Sequence, residues 1–334
     1  MSGETIADYN VTDREAFRAQ IMASGRPAIL RDVAKDWTAV AKSDDIQTLA
    51  CYLKSGSGPT AVNVVQGRPG TNGRYFYDET LTGFNFDRGR VPLDRLIDVL
   101  TDPGDDIDAY MGSTPLAEAL PGHMGDFSMP LVPNGVAGRI WIGGASRIST
   151  HYDQSHNIAC VVSGKRTFTL YAPDQTKNLY PGPIEHTIAG PQMSMVDLGD
   201  PDPERFPRFA DAQKAALTAT LSPGDGLYIP PLWWHHVRAE GTLNVLVNYW
   251  WNDHPELSRS PMEALVLSLL SLRQLPEPER MAWRAMFDYF IFQTDGAPMD
   301  HLPDKIRGVL GPITPERAQA IWSHFTQLMS QNSR

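Results

Sequence analysis

The first residues with a chemical pattern are a histidine and an aspartate two positions apart, His151 and Asp153. They follow a run typical of a β-strand, and residues i and i+2 of an extended segment point to the same side. An imidazole and a carboxylate placed in this way can bind one metal ion. The spacing alone is weak, because 9 histidines and 39 acidic residues in 334 positions produce a His-x-acid pattern about once by chance.

A third ligand is available in a segment bracketed by glycine and proline, Pro223 to Val237, which contains His235 and His236. The brackets predict a strand, a tight turn and a second strand. Two histidines and one carboxylate on one side of a metal leave open positions, as in non-haem iron(II) oxygenases, and zinc could bind there too. The alternative is structural: His151 forms a hydrogen bond within a core, and the adjacent histidines cap a loop.

Strand parity identifies a candidate buried cation. Arg166 shares a strand face with Phe168 and Leu170, whereas Lys165 shares the other face with two threonines. Arg166 is therefore expected to point inward. A planar guanidinium binds a carboxylate in bidentate fashion, so its partner would be either an internal acidic residue or the distal carboxylate of a cosubstrate such as 2-oxoglutarate.

The elements that must position these residues are mostly strands. Up to about residue 255, short β-branched or aromatic runs alternate with glycine or proline, as in Thr60 to Val65, Arg74 to Tyr77 and Ile158 to Val162. This spacing favours a mainly β fold, a sandwich or a barrel. Helices precede it, and a capping box of Thr12 and Glu15 is expected to open the first.

The pattern becomes helical from Ser260 onward, so we expect two regions, residues 1–255 and residues 256–334. Between residues 262 and 272, leucine or valine falls around nearly the whole helix circumference. Such a helix must be buried on more than one side, which predicts a C-terminal helical region through which two copies form a homodimer. The alternative is a small intramolecular bundle closed by the last helix.

Composition excludes some classes of protein. The formal charge is −10 and basic residues do not cluster, so broad nucleic-acid binding is not expected. Cys51 and Cys160 are too few for a disulfide framework or a cysteine metal cluster. No apolar run is long enough for a membrane span and residues 1–5 do not resemble a signal peptide, so a cytoplasmic protein is expected.

Four blocks together resemble a known family. They are His151-Tyr-Asp153 with Asn157 and Gly164 downstream, Pro201 to Pro207, Gly224 to Pro230 with Trp233 to His236, and Val247 to Trp250. The resemblance is to the Jumonji-C or cupin-like iron(II)- and 2-oxoglutarate-dependent oxygenases, especially the branch of the asparaginyl hydroxylase factor inhibiting hypoxia-inducible factor. It covers roughly residues 10 to 255 and implies a double-stranded β-helix, an eight-stranded jelly-roll barrel with iron at one mouth.

By motif position, the resemblance implies roles for particular residues. The metal ligands would be His151, Asp153 and His235, with His236 as the second choice for the third ligand. Five further residues would lie near the cosubstrate, and they are Arg166, Tyr110, Asn157, Asn248 and Thr150. Two others, Trp234 and Trp250, would form walls of the substrate pocket. Two positions depart from the related hydroxylase, which has lysine at Arg166 and threonine at Ile148.

The resulting hypothesis is an iron(II)- and 2-oxoglutarate-dependent dioxygenase. It would use dioxygen to hydroxylate a peptide, a protein side chain or a small molecule, with release of succinate and CO2. One alternative is a zinc or manganese cupin that acts as an isomerase or hydrolase, which would have the same three ligands but no need of an inward Arg166. Another is a cupin that binds a ligand without turnover.

Overall fold

A computed structural model describes residues 5–102, 108–253, 260–296 and 298–331. It divides the chain into two compact units, Met1–Asn252 and Asp253–Arg334. The boundary expected at residue 255 falls outside the described residues. Each unit is described below by itself.

The first unit contains eleven described strands, which are β1 (Ala7–Tyr9), β2 (Ala28–Leu30), β3 (Val62–Gly67), β4 (Phe86–Val91), β5 (Ala109–Pro115), β6 (Gly138–Gly143), β7 (Ser146–Tyr152), β8 (His156–Tyr171), β9 (Leu217–Leu221), β10 (Gly226–Ile229) and β11 (Trp234–Trp251). They form one continuous hydrogen-bonded sheet system in the order β1-β2-β10-β8-β11-β6-β5-β3-β4, with β7 paired to β11 and β9 paired to β8.

Two long strands turn this system into a barrel. The first half of β8 pairs with β10 and its second half with β9, while the first half of β11 pairs with β7 and its second half with β6. Counting each half separately, β6 to β11 provide the eight strands of a jelly roll. The fold prediction is therefore confirmed. One strand prediction was wrong, because Arg74 to Tyr77 contributes only an isolated bridge between Tyr77 and Phe84.

Helices pack on the outer face of the sheet system. The helices of this unit are α1 (Arg14–Gln20), α2 (Thr38–Ala41), α3 (Ile46–Ser55), α4 (Leu93–Thr101), α5 (Leu116–Ala119) and α6 (Phe209–Ala215). Asp13, and not Thr12, caps α1, because its carboxylate accepts a hydrogen bond from the Ala16 N–H. Side chains from α1, α3 and α4 pack on the strand residues Ile158, Cys160 and Val162 in one apolar core.

Alternation along β8 separates that outer core from the barrel interior. Ala159 and Val161 point the other way from Ile158 and Cys160, and they join a second apolar core with Phe168 of the same strand. This second core fills much of the barrel. Beyond this core, towards the mouth of the barrel, the interior becomes polar, and the candidate site lies there.

The second unit is helical. Its helices are α7 (Pro261–Leu272), α8 (Glu277–Phe287) and α9 (Pro315–Gln331), and a short π-helix, Asp288–Phe292, continues α8. Ser260 caps α7 by accepting a hydrogen bond from the Met262 N–H. Within the described residues, the model contains no helix with the length and hydropathy that crossing a membrane requires.

Candidate metal centre

The three expected metal ligands converge at the mouth of the barrel. Their nitrogen and oxygen ligand atoms all lie within 4.8 Å of one another, and His235 Nε2 is 3.7 Å from Asp153 Oδ2. The sheet register explains the convergence, because His235 on β11 lies directly opposite His151 on β7. The turn between β10 and β11 holds Asp153, the remaining ligand, because the Leu232 N–H donates to the Asp153 carbonyl oxygen at 2.7 Å.

Both imidazoles are oriented by backbone carbonyl groups. His151 Nδ1 is 2.8 Å from the Ser149 oxygen, and His235 Nδ1 is 3.1 Å from the Trp233 oxygen. An Nδ1–H that donates to a carbonyl leaves the Nε2 lone pair free for a metal. Burial and the neighbouring His151 lower the pKa of His235 to about 4, so this imidazole is neutral at pH 7. The donor set therefore fits a ferrous ion.

A cavity of about 60 Å³ lies beside the three ligands and contains the predicted cation. Arg166 is 4% exposed and lines this cavity, as strand parity predicts, whereas Lys165 is exposed. Among the described residues no acceptor pairs with the guanidinium, and its buried Nε has no hydrogen-bond partner. Burial lowers the pKa of Arg166 to about 10, so the group remains charged at neutral pH.

Three further predicted residues, Tyr110, Asn157 and Asn248, line the same cavity, together with Trp250. Burial raises the pKa of Tyr110, so its phenol stays protonated and can donate a hydrogen bond. Trp250 does more than form a wall, because its indole N–H donates to Asp153 Oδ2 at 3.0 Å.

A wider pocket of about 520 Å³ adjoins the cavity and shares Tyr110, Trp141 and His151 with it. Much of its lining is aromatic or aliphatic, including Tyr75 and Phe86. Among the described residues that line it, Arg88 is the one arginine, and its guanidinium lies 5.3 Å from the Phe86 ring centroid. The pocket provides room for a substrate group next to the metal ligands.

Three residues considered at the sequence level lie away from the cavity. Thr150 is fully buried on the opposite face of β7. Trp234 packs edge-on against Tyr152 and donates its N–H to Thr176 Oγ1 at 2.9 Å. His236 lines a separate groove with Arg147 and Arg238, and burial lowers its pKa to about 4.

Trp141 on β6 is a site residue that sequence reasoning missed. It lines both the cavity and the wider pocket, and its ring centroid lies 6.0 Å from that of Tyr110 and 5.8 Å from that of Trp250. Strand parity within β6 offered only a partial signal. Trp141 alternates with the fully buried Ile140 and Ile142 of the outer core, so it had to face the barrel interior.

The fold and the site define a cupin barrel with a two-histidine, one-carboxylate metal centre. The model of a cupin-like domain family matches residues 14–257, and the chain belongs to this family. Among curated relatives, Jumonji C domain-containing protein 5 of Drosophila melanogaster is 29% identical over 263 residues, which is 74% of this chain and 59% of that protein.

Two other relatives match shorter stretches. Lysine-specific demethylase 8 of Xenopus tropicalis is 36% identical over 115 residues, 34% of this chain and 24% of that protein. HSPB1-associated protein 1 of Homo sapiens is 31% identical over 163 residues, 47% of this chain and 32% of that protein. The chain thus spans at most about three fifths of these relatives' lengths.

These relatives and the His-Asp-His triad confirm the Jumonji-C, cupin-like assignment, and they support an iron(II)- and 2-oxoglutarate-type oxygenase at the level of the family. Iron(II) and 2-oxoglutarate are accordingly the cofactor and cosubstrate of this class of site. The closer relation to the asparaginyl hydroxylase branch stays a prediction.

Proposed function

We propose that the protein uses iron(II), 2-oxoglutarate and dioxygen to hydroxylate an uncharged or acidic group of a peptide, protein or small molecule. The observation that carries the proposal is the buried, unpaired guanidinium of Arg166 in the cavity of the metal ligands. A zinc or manganese isomerase or hydrolase would have the same three ligands but no use for this cation.

Arg166 carries a charge that is removed from water. An ionised group that is removed from water is strongly destabilising unless an opposite charge or hydrogen bonds compensate. No described acidic residue pairs with Arg166, so none of the described residues compensates its charge. The distal carboxylate of 2-oxoglutarate would do so, with the bidentate geometry that guanidinium favours. Tyr110 lines the same cavity and can add a hydrogen bond.

The remaining roles follow from the positions of the side chains. His151, Asp153 and His235 would hold the metal, and Arg166 and Tyr110 would orient the cosubstrate beside it. Bound together, iron(II), 2-oxoglutarate and dioxygen supply the oxidation of a C–H bond, with succinate and CO2 as coproducts. The aromatic walls Trp141 and Trp250 would keep bulk water from the reacting group.

The charge of the wider pocket favours hydroxylation over removal of a methyl group from lysine. Several relatives are named lysine-specific demethylases, and a methylated ammonium is a cation. The described residues that line the wider pocket include Arg88 and no aspartate or glutamate. A cationic side chain would therefore meet a positive charge with no carboxylate to offset it. An uncharged or acidic group meets no such penalty.

Arg166→Ala tests the cosubstrate role, with Lys165→Ala as the matched control on the adjacent, outward-facing position. Removing one partner of a buried charge pair costs about 2–5 kcal/mol, so the apparent KM for 2-oxoglutarate should rise about 30-fold or more, with little change in iron affinity. The control should stay close to wild type. An unchanged KM in Arg166→Ala would contradict the cosubstrate role of Arg166. A wild type that consumes no 2-oxoglutarate would favour the zinc or manganese alternative.

The type of reaction can be read from product mass. Lysate fractions treated with wild-type protein should contain species heavier by about 16 Da, one oxygen atom, that are absent after treatment with His151→Ala. Products lighter by about 14 Da per methyl group, accompanied by formaldehyde, would instead indicate demethylation.

A further inference from the structure

A continuous chain of hydrogen bonds connects the wall of the substrate pocket to the metal-binding carboxylate. Trp141 Nε1 donates to Asn248 Oδ1 at 2.7 Å, and Asn248 Nδ2 donates to Asn157 Oδ1 at 3.1 Å. Asn157 Nδ2 then donates to Asp153 Oδ2 at 3.3 Å. Trp250 Nε1 donates to the same carboxylate oxygen at 3.0 Å.

The direction of this chain is fixed by its two ends. An indole nitrogen can only donate, and an ionised carboxylate can only accept. Each amide between them must therefore present its oxygen towards Trp141 and its nitrogen towards Asp153. Flipping either amide would place donor against donor or acceptor against acceptor. Asn157 and Asn248 are 5% and 1% exposed, so water could not readily satisfy a flipped group.

The two donors restrict the carboxylate. An aspartate side chain at the end of a strand can rotate about its terminal bond, and that rotation would spread its oxygens over several positions. Two N–H groups on Oδ2 select one orientation, and no described residue forms a hydrogen bond with Oδ1. Groups that orient a ligand in this way typically change metal affinity or activity by about 10- to 100-fold when they are removed.

We propose that Trp250, Asn157, Asn248 and Trp141 are positioning residues that orient the Asp153 carboxylate towards the metal, with Trp141 linking this orientation to the wall of the substrate pocket. The inference rests on the proposed metal site and assigns Asn157 and Asn248 a role distinct from the cosubstrate contacts implied by resemblance. None of the four has to touch the metal for the effect to occur.

The test compares tryptophan-to-phenylalanine variants, which retain an aromatic ring and lose the indole N–H together with part of the ring volume. Trp250→Phe removes a direct donor to Asp153. The matched control is Trp37→Phe, because Trp37 is also buried and donates its N–H to a carbonyl, that of Ser128 at 2.9 Å, within the helical layer. Titration with Co²⁺ under anaerobic conditions reports both affinity and, through its visible absorption, coordination geometry.

We expect Trp250→Phe to bind Co²⁺ about 10- to 100-fold more weakly, with an altered absorption spectrum, and Trp37→Phe to match the wild type. Trp141→Phe, two hydrogen bonds further from Asp153, should weaken binding by a smaller factor. Asn157→Leu removes the other direct donor and repeats the test if Trp250→Phe does not fold, as judged by circular dichroism.

Wild-type affinity and an unchanged spectrum in Trp250→Phe, or in Asn157→Leu where that variant replaces it, would overturn the positioning role while leaving the proposed function intact. A wild-type protein that binds no Co²⁺ would overturn the proposed function itself, and this inference with it. The two failures are therefore distinguishable.

Discussion

The barrel and the C-terminal helices differ in how far their large apolar side chains are buried. In the barrel, the outer core encloses Phe17 and the interior core encloses Phe168 almost completely, and Trp234 is also buried. In the helical region, no large hydrophobic side chain that the structure describes is buried, and Leu270 on α7 is 78% exposed. Trp283 and Phe292 are also largely exposed.

The difference in burial indicates that the two regions are stabilised in different ways. The described residues of the barrel bury large apolar side chains in two cores and include the three metal ligands. The helical region presents an apolar surface of the kind that usually marks an interaction site. We propose that residues 256–334 form the dimer interface with a second copy of the chain, because a two-fold contact would cover α7 and α8 in both copies.

The largest expected effect is on metal binding in the barrel. Asp153→Ala removes the one anionic ligand and leaves two neutral imidazoles, so iron(II) affinity should fall by more than about 100-fold and turnover should disappear. Circular dichroism should show a folded barrel. The neighbouring variant His236→Ala is the control, and it should retain iron because His236 lines a different groove. His235→Ala should lose iron as Asp153→Ala does. Loss of iron from His236→Ala, with iron retained in His235→Ala, would move the third ligand from His235 to His236.

The second effect tests the difference in burial directly. Leu170 in the barrel is fully buried, and its replacement by alanine should reduce the free energy of unfolding by about 2–5 kcal/mol. Ile313, before α9, is 50% exposed, and Ile313→Ala should cost about 0.5 kcal/mol or less. Urea unfolding followed by tryptophan fluorescence measures both. Equal losses in the two variants would remove the distinction between the regions.

The smallest expected effect concerns assembly. Leu270→Arg places a charge where we propose that two copies meet, which should cost about 2 kcal/mol of association free energy. Light scattering should then give a mass near the 37.0 kDa of one chain, against about twice that value for wild type. Gln274→Arg adds the same charge beyond the end of α7 and should not change the mass. A wild-type mass of one chain would exclude the dimer.

Strand periodicity explains which site residues the sequence could identify. A period of two was enough to place Arg166 inside the barrel and Lys165 outside it. The same rule, applied to the residues next to the ligands, also accounts for two predicted residues that do not line the cavity. Thr150 precedes His151 and Trp234 precedes His235, so each points away from the face of its neighbouring ligand.

Contacts between distant strands could not be read in this way. The donation from Trp250 to Asp153 and the chain through Asn248 depend on how β6, β8 and β11 pair, and register is a property of the assembled sheet. β11 also contains irregularities that reset its alternation. The helix caps show a more local limit, since Thr12 and Asp13 are both good capping residues and only the backbone geometry selects Asp13.

The most direct test of the central claim, that the barrel is an iron(II)- and 2-oxoglutarate-dependent oxygenase, is succinate formation by the full chain. Protein purified without oxygen is loaded with iron(II) or with zinc, supplied with 2-oxoglutarate and exposed to dioxygen. We expect succinate from the iron-loaded wild type, even as slow turnover without substrate, and none from the zinc-loaded protein or from Asp153→Ala. No succinate from iron-loaded protein under any condition, combined with tight zinc binding, would contradict it.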